Sequence, residues 1–85
     1  MSGNNIRQEI ISIISDVSGF ELEEIDLQTH LANDLEIDSI KAIEITVAIE
    51  KKYKISIRDE DIPNIITVKD AVESATNLLA QKAES

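Results

Sequence analysis

Asp38 and Ser39 stand side by side just ahead of an amphipathic run, and they are the residues in this chain best suited to chemistry. A serine hydroxyl at a helix start lies close to unpaired backbone N–H groups and the positive end of the dipole. A phosphate attached to Ser39 would be favoured there. The pair also has a plainer use, because both side chains are good N-caps. Other chemistry is poorly supplied. The chain has no cysteine, hence no disulfide framework, no thiolate nucleophile and no cysteine metal site, and any thiol must come from outside. His30 is the single histidine, and a Ser39–His30–Asp38 triad lacks the strand–turn–helix elbow and an oxyanion-hole motif. Asp34, Glu36 and Asp38 alternate like calcium-loop ligands, but Ser39 stands where that loop needs glycine and Ile45 where it needs glutamate.

The elements that position Ser39 follow from periodicity. Ile40, Ile43, Val47 and Tyr53 recur near helical spacing, with Ile45 and Ile49 widening the stripe, which predicts a helix from Asp38 or Ser39 to about Tyr53. An earlier helix, capped by Asn4 or Asn5 and running to about Val17, buries Ile6, Ile10, Ile13, Ile14 and Val17, with Ile11 broadening the stripe. Gly19 suits the left-handed turn that ends it. Residues 20–37 have no sustained period but are studded with spaced aliphatics, so this long first loop should pack across the helices. Glu23–Asp26 could form a short turn within it. Ile55 to Ile57 reads as an extended connector. Asp59, Glu60 and Asp61 open a short helix limited by Pro63. Thr67 and Asp70 frame a capping box for the last helix, which turns Val68, Ala71, Val72, Ala75, Leu78 and Leu79 inward and ends near Gln81. The expectation is an all-α fold: a small up-down helical bundle of three main helices plus one short helix, in a single domain over residues 1–85, with 1–4 and 82–85 frayed.

Charge narrows the partners. The 85 residues carry a formal net charge of −9, and the span from Asp16 to Glu50 holds ten acids against Lys41 alone. Such a field repels nucleic acid and steers basic protein surfaces toward this region. The sequence lacks a long apolar run, so neither a membrane span nor a signal-peptide core is expected, and a cytoplasmic monomer is the expectation. With 42% hydrophobic residues but only Phe20 and Tyr53 as aromatics, the core must be aliphatic.

The run Asp34-Leu35-x-x-Asp38-Ser39-Ile40, followed by an amphipathic helix, resembles the modification motif of acyl carrier proteins. The likeness extends over nearly the whole chain, including Ile55 to Thr67, which is similar to the family's short third helix and the approach to its last one. The resemblance implies a carrier without catalytic activity of its own. A phosphopantetheinyl transferase would move 4′-phosphopantetheine from coenzyme A to Ser39, flanked by Asp38, and acyl intermediates would ride on its thiol as thioesters. It implies partner docking by Glu36, Lys41, Glu44 and Glu50, and an acyl-chain pocket at Leu31, Ile43, Val47, Ile65 and Ala71. The implied partners are acyltransferases, ketosynthases and other acyl-processing enzymes with basic patches, in fatty-acid, polyketide or related lipid biosynthesis. Two departures stand out. Glu36 occupies a position where many members have glycine, and Ser39-Ile40-Lys41 looks more like carriers of polyketide and polyunsaturated fatty-acid synthases. An aminoacyl or peptidyl carrier, and an unmodified acidic interaction module, are the alternatives.

Overall fold

Aliphatic residues three and four apart bury one face of each long helix, and the chain closes around those faces. The structure, a computed structural model, describes residues 3–84, with side chains described for 6–82. Four α-helices form among the described residues: α1 (Gly3–Ser18), α2 (Leu31–Leu35), α3 (Ser39–Tyr53) and α4 (Val68–Glu84). Two 3₁₀ turns, Leu22–Glu24 and Asp59–Asn64, lie between them. Among the described residues the only β feature is an isolated bridge between His30 and Thr67.

The first helix follows the expected phase. Ile10 and Ile14 are fully buried, and Ile6, Ile11, Ile13 and Val17 pack around them. Gly19 closes α1 with φ +85°, its N–H donating to the Ser15 carbonyl at 2.8 Å. The helix already includes Asn4 and Asn5 rather than starting after them, because its first residue is Gly3. Their side chains, like Met1, Ser2 and Ser85, lie outside the described residues. At the other end α4 runs past Gln81 to Glu84. There Lys82 reaches across to α3, donating through Nζ to the carbonyls of Lys54 at 3.0 Å and Tyr53 at 3.4 Å. This contact ties the two C-termini and gives the last turn of α4 a reason to stay wound.

The expected inward face of α3 needs correcting. Ile45 and Ile49 are its core residues, with Thr46 buried and Ala42 and Tyr53 packed beside them. Ile40 is instead 68% exposed, Ile43 52% and Val47 39%. Apolar residues occur on two faces of this helix, and hydrophobic spacing alone cannot choose between them. The face that wins is the one that α1 meets. Tyr53 confirms the contact by donating its hydroxyl to the Glu9 carboxylate on α1, and burial, reinforced by Glu9, pushes its pKa up.

The long first connection is more structured than its sequence suggests. Ile25, Leu31, Leu35 and Ile37 are buried in the core. The connection is then stitched to the start of α4 by backbone bonds. Leu31 N–H donates to Ile66 O at 2.9 Å, Val68 N–H to Thr29 O at 3.1 Å and Lys69 N–H to Leu27 O at 2.9 Å. Tertiary bonds of this kind explain α2, whose five residues are too few to form a helix by propensity. Thr67 and Asp70 form the foreseen box: Asp70 N–H donates to Thr67 Oγ1, and Asp70 Oδ2 accepts from Thr67 N–H and Ile66 N–H.

Glu36 and Lys54 close α2 and α3 with φ of +56° each, a left-handed conformation that side chains with a Cβ disfavour. Removing the Cβ relieves that strain while adding unfolded-state entropy. Glu36→Gly is therefore expected to stabilise the fold by about 0.5–1 kcal/mol and raise Tm by about 2–8 °C. Thermal unfolding followed by circular dichroism checks this, and a lower Tm would contradict it. Asp70 supplies a pH test. Its two backbone bonds, first Ile66 and then Thr67, hold its pKa below the ordinary 3.8. A depressed carboxylate stabilises above its unfolded value, and that contribution is lost as pH falls from about 3.8 through the folded value. Asp70→Asn should lower stability at neutral pH by roughly 0.5–1 kcal/mol and flatten the acid limb of a urea-unfolding series. An unchanged acid limb would refute the assignment.

Candidate functional site

Ser39 is the first residue of α3 and is exposed. The helix is capped not by Ser39 but by Asp38, whose Oδ1 accepts the Lys41 N–H at 2.9 Å, while Asp38 O accepts from Ala42 N–H. The Ser39 hydroxyl is thereby left without a hydrogen bond among the described residues. The backbone N–H groups of Ser39 and Ile40 are also without partners there, which leaves two free donors at the helix start beside the Ser39 hydroxyl. An exposed hydroxyl beside two free donors fits a phosphodiester.

The lead-in residues hold this corner in place. Asp34 Oδ2 accepts the His30 N–H at 2.9 Å, fastening the start of α2. Leu35 and Ile37 are 2% and 6% exposed, which anchors the chain on either side of Glu36 just before Asp38. The left-handed turn at Glu36 then reverses the chain into α3. Glycine would take that conformation without strain, so the turn keeps its shape although this sequence lacks the glycine. Asp34 and Asp38 each bond a backbone amide, and among the described residues no group of three or more His, Cys, Asp or Glu side chains could hold a metal ion. His30 is exposed, and no hydrogen bond joins it to Ser39 or Asp38.

A groove of about 670 Å³ opens beside Ser39, between α3 and the Ile57–Ile66 segment. Leu31, Ile43, Val47 and Ile65 line it, four of the five residues expected for a pocket. The fifth, Ala71, sits deeper, on a small inner void of about 20 Å³ bounded also by Ile45 and Ile49. Thr46 borders both spaces and was not foreseen, although it lies two turns along α3 from Ser39 on a helix already identified. The groove also explains Ile43 and Val47, which are exposed because they form its wall rather than the core.

The expected docking charges divide. Glu36 and Glu44 are exposed and make no ion pair, since the only ion pairs among the described residues are Arg58–Glu60 and Lys69–Glu73. Lys41 is half-buried and likewise unpaired. Glu50 differs: its Oε2 accepts the Ile57 N–H at 2.7 Å, so it braces the groove wall.

Comparison with known proteins agrees with this geometry. A family model described as "Phosphopantetheine attachment site" matches residues 8–74. An acyl carrier protein of Rickettsia bellii (strain RML369-C) is 38% identical over 69 residues, covering 81% of this chain and 80% of the relative. A meromycolate extension acyl carrier protein of Mycolicibacterium aurum is 37% identical over 83 residues, covering 93% and 86%. Among solved structures, the acyl carrier protein from Enterococcus faecalis superposes with a TM-score of 0.78 at 29% identity, covering 92% of this chain and 99% of that one.

The chain belongs to the phosphopantetheine-attachment family and is an acyl carrier protein. It is a carrier without catalytic activity of its own, its cofactor is covalent 4′-phosphopantetheine, and its partners are a phosphopantetheinyl transferase and acyl-processing enzymes. When bound, that group supplies the thiol the sequence lacks. No helix among the described residues is long and apolar enough to cross a membrane.

The division of labour between the two motif residues is testable. Asp38→Ala removes the cap and should destabilise by about 1 kcal/mol, lowering Tm by about 4–8 °C. Ser39→Ala removes a hydroxyl that bonds nothing and should change stability by less than about 0.5 kcal/mol. Equal losses in urea unfolding would show that Ser39 carries the cap.

Proposed function

We propose that Ser39 is the residue that takes the phosphopantetheine, and that this chain is a cytoplasmic monomer delivering acyl thioesters to fatty-acid, polyketide or related lipid enzymes. The observation that carries this reading is the exposed, unbonded Ser39 hydroxyl next to a cap already supplied by Asp38. In the attachment, Ser39 Oγ attacks the pyrophosphate of coenzyme A and loses its proton to the transferase. A serine phosphodiester forms, and adenosine 3′,5′-bisphosphate leaves.

Docking is electrostatic and apolar together. Glu36 and Glu44 lie near Ser39 with their charges unspent, facing basic patches on acyltransferases and ketosynthases, while Ile40 adds exposed apolar surface. Exposed pairs contribute less than about 1 kcal/mol each, so complexes form and separate readily, as a carrier serving several enzymes requires. Lys41 interrupts the acidic run and biases partner choice. The acyl chain lies in the groove along Leu31, Ile43, Val47 and Ile65, with Ala71 at its deeper end. Tethering keeps the cargo at high local concentration at each docked enzyme.

Incubation with coenzyme A and a broad-specificity phosphopantetheinyl transferase should add the mass of one phosphopantetheine to the chain, and Ser39→Ala should abolish the gain. An unchanged intact mass, or a gain that survives the substitution, would reject Ser39.

A further inference from the structure

The groove beside Ser39 has a one-sided polarity. Five polar side chains line it: Asp38, Ser39, Thr46, Glu50 and Asp59. Three of these are carboxylates, and no lysine, arginine, histidine, asparagine or glutamine is among the lining residues. Thr46 is 7% exposed, and its single hydroxyl proton is committed to the Ala42 carbonyl at 2.9 Å, so only its oxygen lone pairs remain. Glu50 accepts the Ile57 N–H through Oε2, leaving Oε1 without a partner among the described residues. These two residues are four apart on α3 and therefore neighbours on one helix face. Three backbone donors along the opposite wall are also taken. Ile57 N–H goes to Glu50, Ile65 N–H to Ile62 O and Ile66 N–H to Asp70.

A chain that passes the free amides of the helix start at Ser39 meets, further along the groove, aliphatic surface, hydrogen-bond acceptors and negative charge. A plain alkyl chain gains burial. A hydroxyl on the chain gains in addition an acceptor for its proton. A carboxylate is both stripped of water and placed beside like charge, the two conditions that most penalise it.

Given the carrier reading of Ser39, on which this rests, we infer that the groove selects among acyl cargoes. It seats neutral chains, favours those with a hydroxyl group and turns away chains that end in a carboxylate. Thr46 and Glu50 are the specificity-determining side chains.

The test loads the full chain by transferase from octanoyl-, 3-hydroxyoctanoyl- and octanedioyl-coenzyme A, adenosine 3′,5′-bisphosphate leaving each time, and repeats this in Thr46→Val, Thr46→Ser and Glu50→Gln. Intact mass verifies loading, and methyl NMR of Ile43 and Val47 on the groove wall reports the seated population. The hydroxylated cargo should seat about tenfold or more over the dicarboxylic one. Thr46→Val should reduce the hydroxylated cargo to the level of octanoyl, Thr46→Ser should preserve its advantage, and Glu50→Gln should admit octanedioyl. Equal seating of all three cargoes in the loaded protein overturns the inference, as does an undiminished hydroxyl preference in Thr46→Val. If Thr46→Val does not fold, Glu50→Gln decides, and continued exclusion of octanedioyl overturns it. Failure of wild-type loading would instead strike the assignment of Ser39.

Discussion

The Asp38 carboxylate accepting the Lys41 amide at 2.9 Å is the interaction on which the rest depends. A helix start leaves donors that need partners, and either residue of the Asp38–Ser39 pair could have served. Because the aspartate does so, the serine is displaced one position into the helix, on its rim, with an unbonded hydroxyl and two unpaired N–H groups around it. A residue that would otherwise hold the fold together becomes available for chemistry. The corner is stiff for reasons that lie outside the pair. Leu35 and Ile37 are buried on either side of a left-handed turn, and Asp34 secures the short helix before it.

Packing then divides α3 between stability and function. Ile45 and Ile49 belong to the core, whereas Ile40, Ile43 and Val47 stay exposed along the groove side and the helix surface. Across from α3, the Ile57–Ile66 segment packs into the core through Ile57, Ile62 and Ile65 and forms the opposite wall of the groove. Glu50 keeps that wall in place through the Ile57 amide, a role quite different from that of the free acids at Glu36 and Glu44.

Much of this was legible in the residues, and what was not has physical causes. The stripe of α1, the glycine ending it and the Thr67–Asp70 box are local signals, and the structure keeps all three. The phase of α3 was not readable, because apolar residues at both faces satisfy a helical period and only contact with α1 selects Ile45 and Ile49. Helix α2 was hidden for a similar reason: its first residue, Leu31, is tied to the distant Ile66 carbonyl, and Thr29 and Leu27 just before it accept from Val68 and Lys69. The left-handed turn at Glu36 was signalled only through the resemblance, as a position where many members have glycine, because glutamate itself does not advertise it. The motif and its resemblance pointed to Ser39 and to Leu31, Ile43, Val47 and Ile65, which the structure places along one groove. Thr46 was missed because a threonine within an aliphatic helix reads as filler until the space beside it is seen.

The most direct measurement is residue-level localisation by fragmentation mass spectrometry of the protein purified from its native cells. Phosphopantetheine is expected on the peptide containing Asp38-Ser39-Ile40, borne by the serine oxygen. A modification found on any other residue, or a peptide always recovered bare, would contradict it.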